Sequence, residues 1–163
     1  MIVFLCGIPA SGKSTYSKKF VLDHRGWYRI SRDEIRVGEW NSDQEKKVIE
    51  YEIEFAWNIM ANVIIDDTNL SPNSVSYILK SLDGLEEQKK LIIIDTPIEE
   101  CIKRNSERKN NVPDNVILEM KQKFDKNINR LKSMFKSNYT VNNYSDFKQC
   151  LLLQTDNKKP TKK

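Results

Sequence analysis

Histidine is almost missing from this sequence: His24 is the single one in 163 residues. One imidazole cannot build a histidine-based zinc site or run a histidine-driven nucleophilic triad alongside it. His24 lies in a polar stretch and reads as a surface residue. Cysteine is scarce too. Cys6, Cys101 and Cys150 are far apart, odd in number and form no C-x-x-C pair. They read as free thiols in a reducing compartment, not as a disulfide framework. No apolar run approaches the roughly 18 residues a membrane span needs. The apolar run at 1–6 has no basic residue before it and no small-residue cleavage site after it, so no signal peptide is expected. The expected location is cytoplasmic, with no membrane partner and no obligate protein partner. Internal repeats and long linkers are absent as well.

What is present suits one globular domain. The apolar fraction is 39% and the charged fraction 31%, which excludes a disordered chain. The net charge of +4 is unevenly spread. Between Cys101 and Lys136 ten basic residues face four acids, an excess of six against the +4 of the whole chain. Such a segment attracts a polyanion, although runs of this kind also serve as solvated helix faces.

Short, continuous apolar runs at 2–6, 27–30, 63–66 and 91–95 read as buried strands, with a last one at 139–141. Helical patterns alternate with them. The spacing predicts helices over 11–23, with Tyr16, Phe20 and Val21 inward, over 43–61 along a Val48, Tyr51, Phe55, Ile59 stripe, and from Pro72 to 82. A short helix opens at Ser31, where Ser31 and Glu34 have capping-box spacing. Further helices are expected from Pro97 to 109, over 113–135 with Met120, Phe124, Ile128, Leu131 and Phe135 inward, and over 144–153. Trp57 is expected in the core. Alternation of this kind predicts an α/β fold, a parallel sheet of about five strands with helices on both faces. The domain is expected to occupy 1–153, followed by a disordered polar tail at 154–163.

The strongest signal is Gly7-Ile-Pro-Ala-Ser-Gly12-Lys13-Ser14, a G-x-x-x-x-G-K-S run between a strand and a helix. Its glycines permit a loop whose amide groups face inward and hold phosphate oxygens at a helix N-terminus. Lys13 is expected at the β- and γ-phosphates, and Ser14 on magnesium. This establishes the expectation of nucleotide binding and leaves the phosphate acceptor open.

Three further runs carry candidate chemistry. In Ser31-Arg32-Asp33-Glu34-Ile35-Arg36, Asp33 and Arg36 share one side of a short helix at the carboxyl edge of the sheet. Asp33 suits proton removal from an acceptor hydroxyl and Arg36 a neighbouring phosphate; an exposed ion pair in a first helical turn has the same spacing. In Ile64-Ile65-Asp66-Asp67-Thr68-Asn69 an apolar strand ends in carboxylates, the position of a Walker B acid. One of the two is expected to face the site, and Asp67 is the choice; a polar strand end with Asn69 capping the next helix reads equally simply. In Lys103-Arg104-Asn105-Ser106-Glu107-Arg108, Arg104 and Arg108 lie one above the other. They suit a helical lid over the γ-phosphate, where charge moves in the transition state, or a solvent-facing basic helix.

Together, in order, these runs resemble the kinase domain of the bacteriophage polynucleotide kinase-phosphatase, over most of the chain to about residue 130. Ser-Arg-Asp-Glu-Ile-Arg, Asp-Thr-Asn-Leu-Ser-Pro and Lys-Arg-Asn-Ser-Glu-Arg carry the resemblance beyond what the phosphate loop shares with many families. It implies a P-loop kinase fold with a helical lid at about 101–125, ATP as phosphate donor, Mg2+ as cofactor, and 5′-hydroxyl ends of DNA or RNA as partners. Asp33 would be the general base. Arg36 would contact the phosphate next to the reacting hydroxyl, with Arg32 on the same acceptor side. Asp67 would be an essential acid and hold the metal, directly or through water, with Ser14. Gly7, Ala10, Ser11, Gly12, Lys13, Ser14 and Thr15 would bind the nucleotide, with Arg104 and Arg108 closing from the lid. The run 38–58 departs from the family, and no D-x-D-G-T run is present, so phosphatase activity is not expected. A small-metabolite kinase of the same fold is the alternative.

Overall fold

A computed structural model describes residues 1–35, 41–81, 89–136 and 138–143. Arg36, Trp40 and the helix expected over 144–153 lie outside those residues. Five strands form one sheet: β1 (Ile2–Cys6), β2 (Trp27–Ser31), β3 (Asn62–Asp66), β4 (Lys89–Asp95) and β5 (Tyr139–Asn143), in the order β2-β3-β1-β4-β5. Every pairing is parallel, with Phe4 opposite Ile65 on one side and Leu91 on the other. Parallel strands cannot be joined by tight turns, so helices must cross between them. These are α1 (Lys13–Asp23), α2 (Arg32–Ile35), α3 (Ser42–Asn58), α4 (Pro72–Ser81), α5 (Ile98–Ser106) and α6 (Asp114–Met134).

The chain order explains how the helices divide. From β1 the chain crosses outward to β2; the connections to β3, β4 and β5 all run back the other way. Right-handed crossovers running in opposite directions place their helices on opposite faces. Accordingly Val3, Leu5, Ile64, Ile92 and Ile94 pack with Tyr16, Phe20 and Val21 of α1. The alternate residues Ile2, Phe4 and Cys6 join the larger core with side chains of α3, α4, α5 and α6. β1, β3 and the middle of β4 are buried on both faces, which is why their sequences read as unbroken apolar runs; β2 is half-buried over its first residues, and β5, expected as a buried strand, is exposed at 139–141.

The inner stripe of α6 is as the spacing predicts: Phe124, Leu131 and Phe135 are buried, with Met120 and Ile128 packed beside them. Two expectations are corrected. On α3 the buried residues are Glu45, Ile49, Ile53 and Ala56, while Tyr51, Phe55 and Ile59 are exposed. Both stripes have helical spacing, and the one that carries the two rings, Tyr51 and Phe55, is turned away from the sheet. Trp57 lies at the surface, not in the core. The capping box forms at the start of α3, where Asn41 accepts from the Asp43 and Gln44 amides and Gln44 reaches back. Glu34, its expected member at Ser31, is drawn instead to Arg29 at 2.6 Å and Lys18 at 3.0 Å. Full charges outcompete a backbone amide for a carboxylate.

His24 is exposed and stacks on Phe20. Cys6 and Cys101 are free and buried. Burial pushes their thiols up to about 12 and about 11, which leaves them unreactive.

Candidate active site

Strand ends bring the candidate residues to one edge of the sheet, the carboxyl edge, where α/β folds bind ligands. The loop after β1 is braced from several sides. The Gly7 amide donates to the Thr68 carbonyl at 3.1 Å. A Cβ at Gly7 would stand 2.7 Å from the Ile94 carbonyl oxygen and 2.8 Å from Ser11 Oγ, so only glycine fits. Ala10 and Gly12 both take left-handed backbone, at φ 61° and 107°. Such reversals turn successive amides toward a common concavity that suits an anion. Ser11 is fully buried, and its carbonyl accepts from the Thr96 hydroxyl at 2.8 Å.

Lys13, the first residue of α1, is buried to 7% exposure. Its ammonium donates to the Ile8 carbonyl at 2.7 Å and to Ser11 Oγ at 3.3 Å. Burial lowers its pKa, and the Asp66 and Asp67 carboxylates push it back up. The two acids at the end of β3 thus offset part of the desolvation cost of the Lys13 cation.

Those acids divide the work. Asp66 is buried, and its Oδ1 lies 3.4 Å from the Ser14 hydroxyl. Its Oδ2 accepts from Ser17 at 2.8 Å and from two Arg29 nitrogens at 3.0 and 2.5 Å. Asp67 accepts from the Thr68 amide at 2.7 Å and pairs with Arg32 at 3.2 Å. Arg32 also pairs with the buried Glu45. Both aspartates line the site, whereas the sequence suggests that one alone would. Asp66 is the one beside Ser14.

A cavity of about 350 Å³ collects the remaining pieces. Ala10, Gly12, Lys13 and Ser14 form its phosphate-loop wall; Arg32, Asp33, Asp66 and Asp67 form the strand-end wall. Arg108 closes it from the loop between α5 and α6, beside Val112 and Met120. Asp33 is exposed on α2 and turned to the same space as Lys13 and Arg108. Gly7, Ser11, Thr15 and Arg104 are not among the lining residues. Arg104 stands behind the loop, bonded to Glu100 at 2.9 Å and reaching the Ala10 and Ser11 carbonyls at 3.4 Å.

Three contributors escape a reading of the sequence alone. Arg29 is a charged residue inside an apolar strand, a signal that a buried partner must exist. Asn105 is buried to 1% exposure and exchanges two hydrogen bonds with the Val112 backbone, at 2.7 and 2.9 Å. It closes the loop that carries Arg108. Asn69 does not cap α4; its amide donates to the Leu5 carbonyl at 2.7 Å, tying the end of β3 to β1.

The family profile described as AAA domain matches residues 2–127, most of the chain. The chain belongs to the AAA domain family. Its fold is that of a P-loop kinase. Among curated proteins it is 28% identical over 137 residues to an L-seryl-tRNA(Sec) kinase of Methanococcus maripaludis, covering 77% of this chain and 52% of that one. It is 27% identical over 164 residues to a protein of Autographa californica nuclear polyhedrosis virus named for polynucleotide kinase and RNA ligase, covering 88% of this chain and 21% of that one. The chain thus spans about half the length of the first relative and a fifth of the second. Among solved structures, a chain of the Pnkp1/Rnl/Hen1 RNA repair complex superposes with a TM-score of 0.67 at 24% identity, over 79% of this chain and 45% of that one. A gluconokinase from Sinorhizobium meliloti superposes at 0.63 and 11% identity, over 86% and 81%.

Proposed function

We propose that this AAA domain protein transfers the γ-phosphate of ATP to the 5′-hydroxyl end of DNA or RNA. One observation carries the reading: Asp33 faces the cavity that Lys13, the phosphate loop and Arg108 also line. A carboxylate there takes the proton from an attacking hydroxyl as the new P–O bond forms. The loop amides and Lys13 hold the donor phosphates in line, and Arg108 faces the charge that develops during transfer. Arg32 and Arg36 serve the acceptor's own phosphate. By name, one relative is a kinase of a seryl-tRNA and another a putative polynucleotide kinase and RNA ligase, which agrees with this acceptor class.

The residues also suit a magnesium ion. Ser14 and Asp66 offer two hard oxygens 3.4 Å apart beside the phosphate loop, the sparse protein share that magnesium takes when phosphates and waters complete its shell. Asp67 is the further oxygen donor in reach of the same cavity. When bound, the ion neutralises charge on the β- and γ-phosphates. Arg29 and Ser17 fix the Asp66 carboxylate in place for that task.

Transfer of labelled γ-phosphate to a 5′-hydroxyl oligonucleotide tests the reading, with a 5′-phosphorylated one as control. Label on the first and none on the second is expected; label on neither refutes it. The gluconokinase superposition, which spans most of both chains, keeps a small-metabolite acceptor as the second reading. Salt separates the two. Affinity for a polynucleotide falls steeply with ionic strength, and affinity for a neutral sugar does not.

A further inference from the structure

A second cavity, of about 470 Å³, adjoins the first. The two share Arg32, Asp67, Thr68 and Met120 as common wall. Beyond that wall the second cavity runs between the start of α4, at Ser71 and Ser74, and the flank of α6 that carries Lys123, Lys126 and Asn127. The Asn127 amide donates to the Leu70 carbonyl at 2.9 Å and holds α6 against the loop before α4. The space is therefore bounded by packed elements.

Its charge is lopsided. Among the described residues Asp67 is the one acid on the wall, and it is already paired with Arg32. Lys123 and Lys126 have no acidic partner among the described residues, whereas Lys121 on the neighbouring flank of α6 is tied to Asp125. With Arg32 held between Asp67 and Glu45, Lys123 and Lys126 are left as the unneutralised charges of the wall. A compact acceptor finished at Asp33 has no use for them. A chain that continues past its first nucleoside has a phosphate to place there.

We propose that this second cavity is a subsite for the second phosphodiester of the acceptor strand, held by Lys123 and Lys126. The enzyme would then favour acceptors of three nucleotides or more over a single nucleotide. The inference rests on the 5′-hydroxyl reading above and extends it to acceptor length.

The test compares two acceptors, a nucleoside 3′-monophosphate and a trinucleotide with a free 5′-hydroxyl and two phosphodiesters. Wild type is expected to show a KM for the trinucleotide about tenfold lower. Lys123→Ala/Lys126→Ala should erase that advantage while leaving the KM for ATP and the rate on the monophosphate unchanged. The salt slope for the trinucleotide should fall by about one. Lys47→Ala, on α3 away from both cavities, controls for loss of net charge. A wild type that uses both acceptors equally, or a double variant that keeps the preference, overturns the subsite and leaves the 5′-hydroxyl reading intact. A wild type that phosphorylates neither overturns that reading, and the subsite with it.

Discussion

On the function proposed for this chain, the donor side and the acceptor side of the site are built differently. On the donor side Lys13, Ser11, Ser17 and Asp66 are buried; Lys13 bonds to Ser11, and Ser17, Asp66 and Arg29 form a second hydrogen-bonded group beside them. On the acceptor side Asp33, Lys123 and Lys126 are exposed, and Arg32 is half-exposed between two acids. A triphosphate is the same ligand for every P-loop enzyme, so a rigid cradle suits it. Acceptors differ between families, and exposed side chains on a short helix and a lid change without disturbing the core. Loss of an acceptor residue should therefore cost rate and spare stability, while loss of a donor-side residue should cost both.

Asp33→Asn gives the widest separation. Phosphate transfer should fall by about 10² to 10⁴, the range of a lost general base. ATP affinity and the unfolding midpoint should stay within error, because the side chain is exposed. Parallel measurement of single-turnover transfer and equilibrium ATP binding checks it; near-normal turnover removes Asp33 from the chemistry. The two neighbouring aspartates sharpen the contrast. Asp66→Asn strips the mostly buried Arg29 of its closest acid, leaving it the exposed Glu34, and should cost about 3 kcal/mol in urea unfolding. Asp67→Asn keeps the bond to the Thr68 amide and leaves Arg32 with Glu45, so its cost should stay below about 1 kcal/mol. Equal losses for the pair would mean that burial does not set the difference.

The same division decides what the sequence made legible. The phosphate loop is read directly, because close contact between Gly7 and the Ile94 carbonyl and left-handed backbone at Gly12 leave few alternatives. The inner strands are read as easily, since strands buried on both faces must be apolar throughout. Asp66 is harder. Two adjacent strand-end carboxylates are equivalent in one dimension, and only the crossing of β2 beside β3 puts Arg29 next to one of them. The α3 stripe fails for a related reason: apolar residues occur on more than one face, and the choice is made by the distance to the sheet. Asn105 and Asn69 are invisible for a third reason. Their partners are backbone groups 7 and 64 residues away, and backbone positions leave no mark in a sequence.

Asn105 predicts a smaller, local effect on the loop that carries Arg108, the expected lid. Asn105→Ala removes both bonds to Val112 and leaves a carbonyl and an amide to find water. The expected cost is about 1–3 kcal/mol, the range for stranding a buried polar group. It should appear first as faster hydrogen exchange at the Val112 amide, with the strand amides of β1 and β3 unchanged. Arg108 sits on that loop, so the KM for ATP should rise. Uniformly faster exchange across the sheet would show that Asn105 supports the whole fold and not the lid.

The smallest effect lies away from the site, where α3 meets the edge strand. The Tyr28 hydroxyl donates to Glu52 at 2.5 Å. That bond, helped by burial and by the Glu52 charge, raises the phenol from an ordinary 10.0 to about 12. A tyrosine whose pKa is higher folded than unfolded contributes stability that is complete below pH 10 and fades as pH climbs toward 12. The Cys6 and Cys101 thiols, raised by burial, fade over the same alkaline range, so the share that belongs to α3 is the difference between Tyr28→Phe and wild type. Ultraviolet titration should show Tyr28 ionising late together with Tyr77, whose bond to Glu50 also raises it; in a Tyr77→Phe background, Tyr28→Phe should remove that late step. Tyr28→Phe should also flatten the decline of melting temperature between pH 10 and 12. If the late step persists in the double variant, another tyrosine carries it, and the contact between α3 and β2 does not depend on this proton.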